Sequence, residues 1–361
     1  MKKTIALYLN GLSHSGGMER VVSNLVRQWI IDYDIILITK DDGSCFYSLP
    51  EGVNKVSLSI PMNMDMTRRL NRIKNVAISL IKSPRLLRKI FKKIQFDYLY
   101  VTNPLNAFEV YLADKLIVKD KMVISEHASI NAFNSIYTWM KRKVYPEAYY
   151  LSVPNSMDTP IYKEWGCNAV YIPHMLSFPI EKSVGIREKV VLNVGRFTSD
   201  KQQLLLLKIW ARIKDKKGWK LWILGDGEER QAMEEYIELE KLTNEVRLMH
   251  SRKDIQAIYK QVSLFALTSR CEGFGMVLLE AMSFGIPCIS FDCPSGPRDV
   301  VKDGINGFLI ENGNEFLFQE RLQEMISMQE DRFKTFSYGA YDTVEKWDNQ
   351  EILEQWKKIF K

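Results

Sequence analysis

Apolar residues in this chain gather into short, nearly unbroken runs, separated by longer stretches where they recur every three or four positions. The runs occupy residues 4–10, 33–39, 98–103, 122–127 and 149–153, then 190–194, 220–224, 246–249, 264–269, 287–291 and 307–310. Unalternated runs of this length, rich in Val, Ile, Leu and Tyr, predict strands covered on both faces, as in a parallel sheet. Residues 18–30 place Val21, Val22, Leu25, Val26 and Trp29 on one side of a helix. Strand and helix patterns alternate twice over, in two series of similar length, which predicts an α/β chain of two doubly wound domains. The expected boundaries are 1–173 and 174–345, with the joint near Tyr171-Ile172-Pro173-His174 and an amphipathic helix over 346–361. No internal repeat or low-complexity tract is present.

Length agrees with this division, since 361 residues exceed one ordinary core and suit two domains of roughly 170. A hydrophobic content of 46% and a charged content of 26% are ordinary for a globular protein. No apolar run approaches the ~20 residues of a transmembrane helix. Lys2-Lys3 before the first run suggests a signal peptide, but Asn10-Gly11 ends that run without a small-residue cleavage site, so it reads as a buried strand. Five cysteines (45, 167, 271, 288 and 293) are scattered and lack metal-binding spacing, which predicts a reducing, cytoplasmic setting. Charge changes the picture more. Residues 1–175 hold 23 basic and 15 acidic side chains, a net +8, whereas the remainder holds 27 and 29, a net −2. The two halves therefore meet different partners.

The most chemically informative stretch is Cys271-Glu272-Gly273-Phe274-Gly275, followed by Glu280 and by Gly285-Ile286-Pro287. It sits between two strand-like runs, where the carboxyl ends of parallel strands put ligand sites. Glycines let the backbone approach a ligand closely, and orphan amides at a helix start favour phosphate. Two carboxylates, with seven residues between them, can accept hydroxyls on either side of that phosphate. A phosphate flanked by polyols describes a nucleotide sugar.

The segment 269–309 resembles the donor-binding core of the retaining glycosyltransferases of family 4, which have the two-domain GT-B fold. The likeness is carried by Ser269, Glu272-Gly273-Phe274-Gly275, Glu280-Ala281, Gly285-Ile286-Pro287 and Asp303-Gly304-Ile305-Asn306-Gly307. It implies two Rossmann-like domains facing across a cleft, with the last helix returning to the first domain. It also implies a G-R-x4-K motif whose cations hold the donor pyrophosphate, and Gly195, Arg196 and Lys201 supply one. Glu272 is then expected on sugar hydroxyls and Glu280 on the ribose, with Gly273, Phe274 and Gly275 at the phosphates. Gly225-Asp226 forms the floor under the nucleotide, and Gly16-Gly17 a low loop at the first helix. His127, closing a strand in the first half, is expected to contact the donor sugar, while His174 replaces an asparagine common at the family's hinge. The implied activity is transfer of a hexosyl group (galactose, N-acetylgalactosamine or glucose type) from a UDP-sugar with retention. Cys293-Pro294-Ser295-Gly296-Pro297 resembles galactosyl- and N-acetylgalactosaminyltransferases. A nucleotide-sugar epimerase of related fold and a non-catalytic partner subunit are the alternatives.

Residues 66–96 carry Arg68, Arg69, Arg72, Lys74, Lys82, Arg85, Arg88, Lys89, Lys92 and Lys93, with no acidic residue and with apolar residues interleaved at helical spacing. This pattern predicts an interfacial helix on an anionic membrane surface. The expected acceptor is accordingly a lipid-linked or other saccharide at the inner face of the cell membrane, in surface polysaccharide or glycan assembly. No nucleic-acid motif is present. There is no Asp-x-Asp pair at a strand end and no His/Cys cluster, so neither a metal nor any other cofactor is expected. A cationic pair suffices to offset a leaving diphosphate.

Overall fold

The structure, a computed structural model, describes residues 2–60, 69–132, 134–182 and 187–361. It divides into two compact units, Met1–Met175 with Gln350–Lys361, and Leu176–Asn349.

The first unit is built on β1 (Thr4–Leu9), β2 (Asp34–Thr39), β3 (Asn54–Ser57), β4 (Tyr98–Val101), β5 (Met122–Ser125), β6 (Tyr150–Val153) and β7 (Ala169–Tyr171). They form one parallel sheet in the order β3-β2-β1-β4-β5-β6-β7. Central strands are covered on both faces, which is why they read as continuous apolar runs. β3 is largely exposed and β7 is three residues long, so neither leaves a hydrophobic signature. The helices are α1 (Gly17–Trp29), α2 (Arg69–Phe91), α3 (Pro104–Ala113), α4 (Lys115–Lys121), α5 (Ser135–Val144) and α6 (Asp158–Glu164). Several of their starts are set locally. Asn103 accepts from the Asn106 amide at 2.9 Å ahead of Pro104, Asp114 from Leu116 at 2.9 Å, and Asn134 from Ile136 at 3.1 Å.

The second unit repeats the plan with β8 (Val190–Val194), β9 (Lys220–Leu224), β10 (Val246–Met249), β11 (Leu264–Leu267), β12 (Cys288–Asp292) and β13 (Gly307–Glu311). Its parallel sheet runs β10-β9-β8-β11-β12-β13. Between and after the strands lie α7 (Gln203–Arg212), α8 (Arg230–Leu239), α9 (Gln256–Tyr259), α10 (Met276–Met282), α11 (Pro297–Val300), α12 (Glu315–Ile326) and α13 (Glu330–Glu345). Trp210, Phe291, Phe308 and Phe318 are at the centre of its core. In this order the chain winds outward from β8 to one edge and then from β11 to the other. The ends of β8 and β11 therefore part company, opening the crevice that such sheets use for ligands.

The last helix, α14 (Asn349–Ile359), inserts its apolar face into the first unit. Trp29 makes edge contacts with Trp356 at 5.2 Å and with Phe360 at 5.1 Å between ring centroids, and Tyr33, Tyr98 and Tyr100 complete the cluster. These rings bury most of their area and add edge-to-face attraction. Among the described residues no helix is long and apolar enough to cross a membrane.

Removing the Trp356 ring leaves a cavity against Trp29 and Tyr100. Trp356→Ala is expected to destabilise the first unit by about 3–5 kcal/mol, read as a shifted urea midpoint, with the second unit's transition unmoved.

Candidate functional site

Lys201 and Glu272, 71 residues apart in sequence, meet at the β8/β11 switch point of the second unit. Nζ of Lys201 donates to Oε1 of Glu272 at 2.7 Å, and the Ser269 hydroxyl donates to the same oxygen at 2.6 Å. Among the described residues Oε2 of Glu272 has no hydrogen-bond partner. Burial opposes the charge on Lys201, but Glu272, with help from Asp200, outweighs it and raises the lysine's pKa above the ordinary value. The ammonium is therefore held protonated in a mostly buried position. Arg196, in the same loop after β8, is exposed, and its guanidinium makes no hydrogen bond or ion pair among the described residues. Burial works against the Asp200 carboxylate too, yet the Thr198 hydroxyl at 2.6 Å and the two cations bring its pKa below the usual range.

The floor of this crevice is made by close approach of two loops. Gly195 donates to Leu224 at 3.1 Å, and Phe197 donates to the Asp226 carbonyl at 2.9 Å. A Cβ on Gly225 would lie 1.9 Å from the Gly195 carbonyl oxygen, and one on Gly227 would lie 2.3 Å from that of Phe197. Only glycine fits either position. The Asp226 side chain faces along the sheet edge, accepting from the Ser251 amide at 2.9 Å and pairing with Nδ1 of His250 at 2.5 Å. Burial favours its neutral form, and these two bonds reverse that, so its pKa falls below the ordinary value.

Gly275 starts α10 at φ +86, a left-handed conformation that a side chain would strain. The helix it opens has seven residues, about two turns, so its dipole is slight. Phe274 is buried, with its ring 5.5 Å from Trp347, so only its backbone is available to a ligand. Glu280 is likewise buried on α10, accepting from the Tyr259 hydroxyl at 3.1 Å. Lys201, Glu272 and Ser269 are thus brought together, with the Gly225 loop against Gly195, and Glu280 is buried on α10.

In the first unit, Gly16 caps α1 and Gly17 opens it, and nothing lies within 4 Å of a Cβ placed on Gly17. His127 follows β5, with Nε2 3.3 Å from the Tyr100 hydroxyl and its ring stacked on His174 at 5.1 Å. Nδ1 of His127 is buried without a partner among the described residues. Burial pushes the His127 pKa down to about 4, and burial together with His127 lowers that of His174, so both rings are neutral at physiological pH.

The sequence did not disclose what holds His127 in place. Glu126 turns inward, and its Oε1 accepts from the His127 amide at 3.2 Å. Its Oε2 pairs with Lys141 at 2.7 Å and accepts from Tyr162 at 2.9 Å. Lys141 is one of three successive cations, Lys141-Arg142-Lys143 on α5, and nothing local marks it as the one that is buried. A second fully buried pair, Lys40 with Glu109 at 2.8 Å, receives the Tyr8 hydroxyl at 2.5 Å. Of the basic stretch, Lys82, Arg85, Arg88, Lys89, Lys92 and Lys93 are exposed on and just after α2. Arg69 and Arg72 belong to the same helix, and Arg68 falls outside the described residues. Among the described residues no group of three or more His, Cys, Asp or Glu side chains is placed to hold a metal ion.

Residues 179–342 match the family described as Glycosyl transferases group 1. The chain is 29% identical to the amylovoran biosynthesis glycosyltransferase AmsD of Erwinia amylovora, over 98% of this chain and 99% of that one. It is 26% identical, over 96% and 95%, to a Campylobacter jejuni α-1,4-N-acetyl-D-galactosaminyltransferase named for a GalNAc-GalNAc-diNAcBac-PP-undecaprenol substrate. A structure of S. aureus TarM, solved as a point mutant with fondaparinux, α-GlcNAc-glycerol and UDP, superposes with a TM-score of 0.80 at 15% identity, covering 100% of both chains. The two Rossmann-like units are thus those of the GT-B fold class. The family match spans nearly the whole second unit, and relatives aligned from end to end are named as glycosyltransferases: this chain is a glycosyltransferase whose second unit carries a Glycosyl transferases group 1 domain.

Proposed function

We propose that this glycosyltransferase moves a hexosyl group of the galactose, N-acetylgalactosamine or glucose type from a UDP-sugar to a saccharide acceptor at the membrane, with retention. The observation that carries the reading is the Lys201–Glu272 pair beside an unpaired Arg196. An ammonium has three donors, and Glu272 takes one, leaving two for a diphosphate. The guanidinium of Arg196 adds a planar fork for the same group. Glu272 keeps Oε2 for a sugar hydroxyl. A cation placed where negative charge develops on the leaving diphosphate lowers the barrier most effectively when it is already oriented and partly shielded from water, as Lys201 is. The two cations offset that charge without calling on a metal.

We assign the ribose to Glu280 and the donor's close approach to the backbone of Gly273, Phe274 and Gly275, over the floor made by Gly225 and Asp226. Gly16 and Gly17 fit a low loop beside the phosphate or acceptor. His127, a neutral imidazole, is assigned to the transferred sugar, and retention follows the family likeness. No side chain is assigned as general base, since a leaving phosphate oxygen can take the acceptor's proton. The first unit is assigned to the acceptor and, through α2, to the anionic inner face of the cell membrane. AmsD is named for amylovoran biosynthesis, and the Campylobacter jejuni relative for a glycan on PP-undecaprenol, which supports a lipid-linked acceptor.

Incubation with UDP- and GDP-sugars, with and without a lipid-diphosphate saccharide, tests the reading directly. Product that requires acceptor supports it, whereas an epimerised donor formed without acceptor, or no turnover with any donor, overturns it. Lys201→Ala and Arg196→Ala are each expected to lower kcat by roughly 100- to 1000-fold with the second unit still folded. Activity should persist in excess chelator; loss that Mg²⁺ or Mn²⁺ restores would contradict the cation assignment. The pKa of His127 is depressed on folding, so its stabilising effect is complete above the ordinary pKa near 6.5 and fades as pH falls toward 4. The His127→Asn, His174→Asn double variant is therefore expected to lose about 2–3 kcal/mol less stability than wild type between pH 7 and 4, by urea unfolding.

A further inference from the structure

Exposed apolar side chains of the first unit are concentrated on helices that α3 brings side by side. On α5, Ile136 is 60% exposed and Trp139, one turn later, is 56% exposed. On α4, Leu116 is 71% exposed, and on α2, Ile81 is 56% exposed among Lys82, Arg85 and Lys89. Contacts between helices tie these positions together. The Arg88 guanidinium on α2 donates to the Ala113 carbonyl at the end of α3, 2.9 Å away. Lys115 of α4 and Lys143 of α5 converge on the Tyr111 ring of α3, at 4.9 and 5.9 Å from its centroid. The Trp139 ring packs one side on Phe108 of α3 at 5.3 Å and leaves the rest in water.

The charge on this layer is one-sided. Neither α2 nor α5 contains a carboxylate, Glu109 of α3 is buried against Lys40, and the Asp114 carboxylate caps α4. Asp120 is the exposed carboxylate that remains on these four helices. Aromatic and aliphatic side chains standing out of a cationic field match the boundary between headgroups and acyl chains, where Trp partitions and Lys and Arg reach phosphate.

We propose that a single docking face runs from α2 over α4 to α5, with Trp139 as its apolar anchor, and that its partner is an anionic lipid bilayer. The inference rests on the assignment of α2 to the membrane and extends it to residues that the basic stretch does not contain. Attraction through α2 alone would be electrostatic and lost in salt. Insertion of Trp139, Ile136 and Leu116 adds a component that salt does not remove.

Sedimentation with phosphatidylglycerol-containing and with pure phosphatidylcholine vesicles, at low and high salt, tests both parts. The full chain is expected to pellet with the anionic vesicles and to be only partly released by salt. Lys82→Gln, Arg85→Gln and Lys89→Gln together should weaken binding by about fivefold per charge. Trp139→Ala should weaken it roughly tenfold or more and render the remainder fully salt-sensitive. Brominated lipid should quench wild-type tryptophan emission more than that of Trp139→Phe. If Trp139→Ala and Ile136→Ala bind as wild type and quenching is unchanged, the extended face is wrong while the α2 assignment stands. If nothing pellets with anionic vesicles at low salt, both fall. Concentration-dependent self-association abolished by Trp139→Ala, without vesicle binding, would overturn the choice of partner. The substituted side chains are exposed, and unaltered thermal unfolding confirms that each variant is folded.

Discussion

The ion pair between Lys201 and Glu272 is the contact on which the proposed chemistry of this protein depends. It joins the two loops that diverge at the switch point of the second sheet, and it fixes one charge of each sign at the place proposed for a sugar diphosphate. An unpaired carboxylate or ammonium in so covered a place would be costly and would shift its pKa to shed the charge. Paired with Glu272, the ammonium keeps its charge, and Ser269 supplies the carboxylate with a second donor. Lys201, Glu272 and Ser269 are therefore held in place by one another, which spares the reorganisation that water or a mobile loop would demand.

The first unit uses the same device for a different end. Glu126 is buried with Lys141, Tyr145 and Tyr162, and its remaining oxygen binds the backbone on which His127 sits. Burying such a pair is weakly stabilising at best, but removing one partner leaves a bare charge in the core. Its value lies in direction: a carboxylate held from four sides gives the loop after β5 one position. Lys40 and Glu109 do the like beneath α2 and α3, with Tyr8 and Ser79 completing the shell. α2 carries its cations outward on a helix anchored from within.

Much of the architecture was legible in one dimension, for a simple reason. Strands covered on both faces must be apolar throughout, and they announced themselves as runs; each expected run holds a strand whose ends lie within two residues of the predicted bounds. β3 and β7 escaped because an exposed or three-residue edge strand has no core-facing requirement to leave a trace. The glycines at 225 and 275 were equally legible, since only a backbone lacking Cβ can pass so near another or turn left-handed at a helix start.

Sequence by itself determined the two α/β series and the placing of the glycine-bearing loops at strand ends, because periodicity and turn chemistry are local properties. It also determined the charge imbalance, which needs only counting. Tertiary structure alone decided partnership. That Lys201 grips Glu272, that Phe274 turns inward to Trp347, that His174 lies on His127, and that Trp139 rests against Phe108 all depend on segments tens of residues apart. Such contacts are set by strand order and helix packing, and no local pattern of side chains encodes them.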